Sequence, residues 1–383
     1  MDVYFPPLAD SAPRAVYVHV PFCLHRCGYC DFTLVAQKDD LIPSYLTALG
    51  NELATVETVY DVDTIFIGGG TPTHLNIEQL QQLIMAITRK FRLVEGGEFS
   101  LEGNPDGLSK DMLHALADLG VNRLSLGVQS FDADVLKTLE RHHTPQEAID
   151  IVHLAASVIE NVSLDLIFGV PGQSLDAWSR SINVASTLPL RHVSTYGLTF
   201  EKGTDFFRRQ QHGQLFSVPD ELEREMYALG MQRFAELGFQ HYEISNFALP
   251  SFECRHNMVY WAAQEYFAFG PGAARYINGQ RSTNARSVTR WIKSWLQHQL
   301  VLQDCESLSP EARISEAIFL GLRRIGGIEL VEFQQNHGVD IRDSHKVAFE
   351  TNVENGLLEV VDNRLRLTSE GRFLADSVVI DFL

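Results

Sequence analysis

Residues 15–30 read AVYVHVPFCLHRCGYC, an apolar, β-branched run from Ala15 to Val20 that breaks at Pro21 and opens into a loop carrying Cys23, Cys27 and Cys30. A short run of this kind, bounded by turn residues, reads as a buried strand. Five more follow: TIFIG (Thr64 to Gly68), EFSLEG (Glu98 to Gly103), RLSLGV (Arg123 to Val128), VSLDLIFG (Val162 to Gly169) and HVSTYGL (His192 to Leu198). Amphipathic stretches lie between them, over Ile42 to Val59, Ile77 to Phe91, Ser109 to Leu119, Pro145 to Ile159 and Leu175 to Thr187, and read as crossover helices. Ser109 is placed to cap the third of these and Gly120 stands where it should stop. Alternating strands and helices force parallel pairing with right-handed connections, so six such units predict an α/β fold built on a partial (βα)6 barrel. In barrels of this kind chemistry gathers at the C-terminal ends of the strands. Here those loops read PFCLHRCGYC, GGGTPT, GNPD, QSF, GVPG and LTFEKGT, and they hold nearly every unusual residue of the first half.

The chain of 383 residues is too long for one small domain, and 45% apolar with 21% charged residues is the composition of an ordered globule rather than a disordered or coiled-coil chain. With 49 acidic against 31 basic side chains, the net charge of -18 repels phosphate backbones, so no general nucleic-acid binding is expected. Five cysteines are too few for a disulfide-stapled secreted domain, and three of them crowd into eight positions. The opening MDVYFPPLADSAPRA has no basic stretch followed by an apolar run, and no later segment has the uncharged length of a bilayer span. A cytoplasmic protein is expected, with peripheral membrane contact through a folded patch left open.

The barrel is expected over 1–200. After about Glu201 the pattern changes to a charged helix from Pro219 to Leu237, then HYEISNFA, then an aromatic and glycine-rich loop from Phe252 to Ile277, so 201–306 reads as a region covering the barrel. The remainder, 307–383, reads as a C-terminal α+β region ending in a winged-helix-like segment: helices over Pro310 to Arg324 and Leu330 to His337, then LLEVVDNRLRLT as two strands around a polar turn. Ser307 to Leu383 carries 8 basic against 13 acidic residues, which argues for packing or docking rather than DNA binding.

Three thiolates in one loop can each ligate one iron of a cubane 4Fe-4S cluster, leaving the fourth iron open to another ligand. A zinc site of three cysteines and a histidine is the alternative, with His19 or His25 as fourth ligand. The CxxxCxxC spacing, with Tyr29 just before the third cysteine, and the GGGTPT loop after the second strand together resemble the radical S-adenosylmethionine (SAM) superfamily. YVHVPFC, FIGGGTP, GNPD, GVQSF and DLIFGVPGQ narrow the resemblance, over nearly the whole chain, to its HemN-like group of coproporphyrinogen III dehydrogenases. That resemblance implies a 4Fe-4S cluster on Cys23, Cys27 and Cys30, with Tyr29 beside it. It also implies SAM held by Tyr17, Gly69, Gly70, Thr71, Glu102, Gln129, Arg141 and Asp165. The residue types suit the task, since a strand-end carboxylate can accept ribose hydroxyls or the SAM amino group and a guanidinium can pair with its carboxylate.

Two departures separate the chain from the dehydrogenases: Phe32 stands where they carry a fourth cysteine, and the first strand begins near Ala15, without their longer N-terminal extension. Both match the HemW branch of heme chaperones. CRHNMVYW, residues 254–261, fits the HNxxYW motif associated there with heme handling, which singles out His256, Tyr260 and Trp261. A neutral imidazole can ligate heme iron, and the aromatic rings offer flat faces to a porphyrin. Without the resemblance, His256 reads as a satisfied core histidine and the two aromatics as packing residues. Cys254 reads first as a small buried hydrophobe and second as an axial ligand, and Cys305 as structural.

The resemblance therefore implies a heme chaperone that binds a 4Fe-4S cluster, SAM and heme and passes heme to acceptor hemoproteins, membrane respiratory proteins among them, with a homodimer as the implied assembly. The rival reading is a dehydrogenase that uses reductive SAM cleavage to decarboxylate coproporphyrinogen oxidatively. The capacity to cleave SAM fits both; Phe32 and the short N-terminus count against the dehydrogenase.

Overall fold

A computed structural model describes residues 12–383 of the chain. The reading of the first residues as free of a leader falls mostly outside this range. Six strands pair in parallel in chain order: β1 (Ala15–Val20), β2 (Tyr60–Gly69), β3 (Phe91–Gly103), β4 (Arg123–Gln129), β5 (Asn161–Phe168) and β6 (His192–Gly197). Helices α1 (Ile42–Ala54), α2 (Ile77–Thr88), α3 (Lys110–Asp118), α4 (Pro145–Ala156) and α5 (Leu175–Ala185) cross over between them. The α/β fold with a partial (βα)6 barrel is thus borne out.

Local chemistry sets the helix ends. Asn76 with Gln79 and Thr144 with Glu147 form capping boxes on α2 and α4, Ser109 and Ser174 accept from the first-turn amides of Met112 on α3 and Ala177 on α5, and Gly120 takes a positive φ just past the end of α3. Two strands run longer than the apolar runs suggest. Tyr60, Asp61 and Val62 pair with Phe91, Arg92 and Leu93 before the main ladder begins, an extension held by the bidentate Arg92–Asp61 pair and hidden in the sequence by its charges. This shortens the expected helices at Ala54 and Thr88.

Side chains of the six strands alternate with a period of two. Val16, Val18, Ile65, Ile67, Phe99, Leu101, Leu124, Leu126, Leu164 and Leu166 face the helices and form the main apolar core. Each such fully buried side chain contributes about 1.5–3 kcal/mol. The intervening residues are largely polar: Tyr17 and His19 on β1, Glu98, Ser100 and Glu102 on β3, Arg123 and Ser125 on β4, Ser163 and Asp165 on β5, His192 and Ser194 on β6. They bond to one another: Tyr17 to His19, Ser125 to Asp165 and Ser163 to His192.

Residues 201–306 extend the barrel sheet, which the sequence did not suggest. Antiparallel strands β7 (Gln240–Glu243) and β8 (Asn246–Ala248) continue it beyond β6, and β9 (Phe267–Phe269) pairs in parallel with β1 at the opposite edge. The buried carboxylate of Glu52 on α1 fixes that edge, accepting from Gly270 N at 2.8 Å and Asn284 Nδ2 at 2.6 Å. Helices α6 (Asp220–Glu236) and α7 (Arg255–Trp261) belong to this region, with further helices over Asp205–Gln211 and Val288–Leu296 and a small antiparallel sheet of Ala274–Ile277, Gln280–Asn284 and Leu302–Ser307. A second apolar core gathers Ile318, Leu322, Leu330, Leu365, Val378 and Phe382. Around it, Pro310–Gly321, Leu330–His337 and the hairpin Leu358–Val361 with Arg364–Leu367 give the expected winged-helix-like outline, the turn made by Asp362 and Asn363, both at positive φ. Among the described residues no helix is long and apolar enough to cross a membrane.

Candidate functional site

The strand-end loops enclose a cavity of about 340 Å³. Its walls include Cys23, Cys27, Cys30, Tyr29, Gly69, Gly70, Thr71, Glu102, Gln129, Arg141 and Asp165, so most of the residues singled out in the sequence converge here from five strands. The cysteine loop leaves β1 and turns back between Cys27 and Cys30, where the Cys30 amide donates to the Cys27 carbonyl at 3.1 Å. Burial pushes the Cys23 thiol up to about 11, with the neighbouring Cys30 and Cys27 adding to the rise, and burial also raises Cys30. Neutral thiols are what such crowding favours, and a multivalent cation is what would reverse it.

Three thiols around an open cavity suit a cluster in which each binds a different iron. They suit a single zinc less well. His19 has both ring nitrogens engaged, Nδ1 with the Tyr17 hydroxyl at 2.9 Å and Nε2 with the Thr33 carbonyl at 2.6 Å, while His25 lies 3.6 Å from Glu140. Among the described residues no group of three His, Cys, Asp or Glu side chains is arranged for one metal ion.

The glycine loop packs as tightly as its composition implies. A Cβ on Gly69, whose φ is +113°, would fall 2.4 Å from the His19 ring, and one on Gly70 would fall 2.8 Å from the Phe22 carbonyl oxygen. Gly70 is thus required by the backbone next to Cys23 as well as by the cavity it lines. Thr71 ties the same two loops together, its hydroxyl 3.2 Å from Cys23 Sγ while accepting from Asn104 Nδ2 at 3.0 Å.

On the far wall Glu102 accepts from Gly69 N at 2.9 Å. Burial, with the charge of Asp165 nearby, pushes its carboxyl up to about 7; burial also raises Asp165, which accepts from Ser125 at 3.2 Å. Two carboxyl groups facing one cavity form a surface suited to hydroxyls and an ammonium. Arg141 reaches in from the side, donating to Asn104 Oδ1 and to the Gly127 carbonyl, each at 2.7 Å, with a further nitrogen 3.8 Å from Cys27 Sγ. Its Nε–H is buried without an acceptor. Gln129 sits at φ +68°, past a register shift in β4, and that bend turns it to the cavity.

Sequence reasoning missed several members. Glu140, at φ +57°, accepts from Gly28 N at 2.8 Å and fixes the cysteine loop. Asn104 joins Thr71 to Arg141, and Tyr196 closes one side of the cavity. Asn104 lies within the quoted GNPD loop, whereas Glu140 and Tyr196 carry no local signal.

The remaining candidates lie elsewhere. Tyr17 is not among the residues lining the cavity; its ring lies 6.1 Å from that of Phe66 and 6.5 Å from that of His256. His256 is fully buried on α7, with Nδ1 2.8 Å from Thr64 Oγ1 and Nε2 2.8 Å from the Tyr260 hydroxyl. Burial, helped by the charge of Arg123, lowers its pKa to about 3, so the imidazole is neutral. The Trp261 ring lies 5.3 Å from the Arg323 guanidinium, its own N–H buried without an acceptor. Cys254 is a buried thiol pushed up to about 12 by burial and sits 3.6 Å from Glu98. Cys305 is exposed on an outer strand.

The barrel, its cysteine loop and the glycine loop define a protein of the radical SAM class. The family model described as Radical SAM superfamily matches residues 17–185, and that described as HemN C-terminal domain matches 308–374. The chain belongs to the HemW family within that class. It is 38% identical to the heme chaperone HemW of Bacillus subtilis over 97% of this chain and 99% of that one, and 36% identical to the heme chaperone HemW of Mycobacterium tuberculosis over 98% and 97%. A Bos taurus relative, radical S-adenosyl methionine domain-containing protein 1, mitochondrial, is 32% identical over 98% of this chain and 89% of its own. Among solved structures, the coproporphyrinogen III oxidase HemN of Escherichia coli aligns with a TM-score of 0.84 at 20% identity, covering 97% of this chain and 90% of that one. This last likeness is one of fold.

Proposed function

We propose that the protein binds heme and passes it to acceptor hemoproteins, and that it carries a 4Fe-4S cluster on Cys23, Cys27 and Cys30 with SAM beside it. The observation that carries the reading is the end-to-end similarity to heme chaperones HemW, which spans barrel, middle region and C-terminal region alike. The HNMVYW segment on α7 and Phe32 after the third cysteine support it.

In this reading Gly69, Gly70, Thr71, Glu102, Gln129, Arg141 and Asp165, which line one cavity with the three cysteines, would hold SAM beside the cluster. Tyr29 packs the cysteine loop against Phe206, and Tyr17, whose hydroxyl bonds His19 Nδ1, stands behind the glycine loop rather than in the cavity lining. His256 would be the residue to hold heme iron, and Tyr260 would have to release Nε2 first, because that nitrogen already shares a hydrogen bond. The reading extends to respiratory membrane proteins as acceptors, to peripheral contact with the membrane, to a homodimer, and to 307–383 as a unit set apart by its own core.

One comparison tests it. On a single anaerobically reconstituted sample, heme titration should produce a saturable Soret band, and coproporphyrinogen should not be decarboxylated. Decarboxylation without heme binding would make the protein a dehydrogenase instead. His256→Ala should shift or weaken the Soret band and leave the cluster absorbance in place.

A further inference from the structure

Residues 266–303 carry five Lys or Arg side chains and no Asp or Glu, in a chain that holds 49 acids against 31 bases. Two of the five cations are committed within the fold: Arg275 is buried, and Arg281 pairs with Glu306 and Glu316. The other three, Arg286, Arg290 and Lys293, are exposed and enter none of the ion pairs formed among the described residues. They cluster on helix α8 (Val288–Leu296), which Ser287 caps by accepting from the Arg290 amide. Arg290, Lys293 and Leu296 recur every three residues along its exposed face, Arg286 stands just before the cap, and exposed Leu300 follows the last turn.

The opposite face of α8 is spent on the core. Val288, Trp291, Ile292 and Trp295 are buried, the Trp291 ring lies 5.6 Å from that of Tyr45 on α1, and Asn51 Nδ2 donates to the Trp295 carbonyl at 3.0 Å. The outer face is thus presented by a helix already anchored to the barrel. Its neighbour α1 offsets none of the charge, since the one acid of α1, Glu52, is buried beneath Gly270 and Asn284. At physiological ionic strength charges more than about 8 Å away are largely screened, so this local composition, rather than the net charge of -18, sets what the face attracts.

Three unpaired cations beside two exposed leucines fit a surface that offers phosphates and an apolar layer together. An acidic protein satisfies the cations alone, and takes the leucines only where its own apolar groups fall in register; a lipid layer accepts both in any register. Among the described residues no helix can span a bilayer, so membrane contact by these residues is contact through a folded face. We propose that the outer face of α8 is the surface by which the protein rests on an anionic phospholipid bilayer, with Arg286, Arg290 and Lys293 at the headgroup phosphates and Leu296 and Leu300 at the edge of the acyl layer. This rests on the membrane-contact part of the reading above and supplies the face that makes it. Each such cation strengthens binding to an anionic surface about fivefold.

The test sediments the full-length, reconstituted protein with vesicles of phosphatidylcholine alone and of equal parts phosphatidylcholine and phosphatidylglycerol. Native protein should bind the anionic vesicles, ignore the neutral ones, and come off at about 1 M salt, where screening reaches to about 3 Å. Arg286→Gln, Arg290→Gln and Lys293→Gln combined should weaken anionic binding on the order of a hundredfold. Lys110→Gln, Arg180→Gln and Lys346→Gln combined, which removes as much charge from exposed positions elsewhere, should bind as native does. Thermal midpoints and the Soret titration should agree across the three proteins, which separates lost contact from lost fold. A first triple variant that binds anionic vesicles as tightly as native protein would overturn the assignment of this face and keep the membrane reading. Native protein that binds neither kind of vesicle would remove the membrane reading, and this face with it.

Discussion

The mouth of the barrel and its interior below are built from similar residue types and behave in opposite ways. At the mouth, Cys23, Cys27, Cys30, Glu102 and Arg141 surround a cavity, and several of their polar atoms have room for a further partner. Around α7, His256 has both nitrogens bonded, Thr64 and Tyr260 are its partners, and Glu98 accepts from the backbone amides of Arg255 and His256 at 2.9 and 3.2 Å. A motif match tells the two regions apart poorly; the state of each hydrogen bond tells them apart well. The mouth is poised to receive ligands, whereas the HNMVYW segment must first rearrange.

The sharpest way to break this comparison is to remove the three thiols. Cys23→Ala, Cys27→Ala and Cys30→Ala combined should abolish iron and sulfide binding after reconstitution, by elemental analysis, while His256→Ala keeps both. Iron retained by the triple variant would show that the mouth is not the cluster site. Next in size is Gly70→Val. Its side chain meets the Phe22 backbone, so it should lower cluster occupancy several-fold as well as SAM binding, measured by iron content and by the change SAM makes to the reduced cluster's spectrum. Loss of SAM binding alone would mean that the loop can shift without moving Cys23.

Acid should find the interior first. His19 and His241 are lowered to about 4 and His256 to about 3, in each case mainly by burial. A histidine whose folded pKa is depressed contributes stability that is fully present above the unfolded value, about 6.5, and is lost as pH falls toward the folded one. The cluster-free protein should therefore lose on the order of several kcal/mol between about pH 6.5 and 4, seen in denaturant midpoints. A flat profile over that range would mean that these rings take up protons without leaving their partners.

The smallest expected effect lies at Glu102, which faces Asp165, Arg123, Tyr17 and the Gly69 amide. Its carboxyl, pushed up to about 7, accepts hydrogen bonds fully only when ionised, so SAM affinity should fall as pH drops through 7 and should weaken about tenfold in Glu102→Ala, roughly 1.4 kcal/mol. Equilibrium dialysis with labelled SAM reads both. An unchanged affinity in the variant would detach Glu102 from the SAM site.

The barrel and most of its mouth were legible in the sequence because each strand is an apolar run and each strand-end loop carries residues rare elsewhere. Cys23, Gly70, Glu102 and Asp165 all sit within such loops or at strand ends. The strands β7, β8 and β9 were not legible, since four or fewer residues among aromatics and glycines give no usable period. Glu140 was hidden for another reason: its role depends on a left-handed backbone and on a loop more than a hundred residues earlier. The place of Tyr17 could not be read either, because motif membership does not say which end of a strand a side chain serves.

The pairing of β9 with β1 bears on how the chain is made. The first strand emerges early in synthesis, yet its outer edge stays without its partner until Phe267–Phe269 has been added. At roughly 5–20 residues per second that interval is about 10–50 s, during which an apolar strand presents open backbone donors and acceptors. Truncated or stalled chains that end before this strand are therefore the species most exposed to aggregation. Expression trials of fragments should show solubility rising sharply once the boundary passes Gly270, where the backbone packs against His19 and Glu52 locks the edge shut.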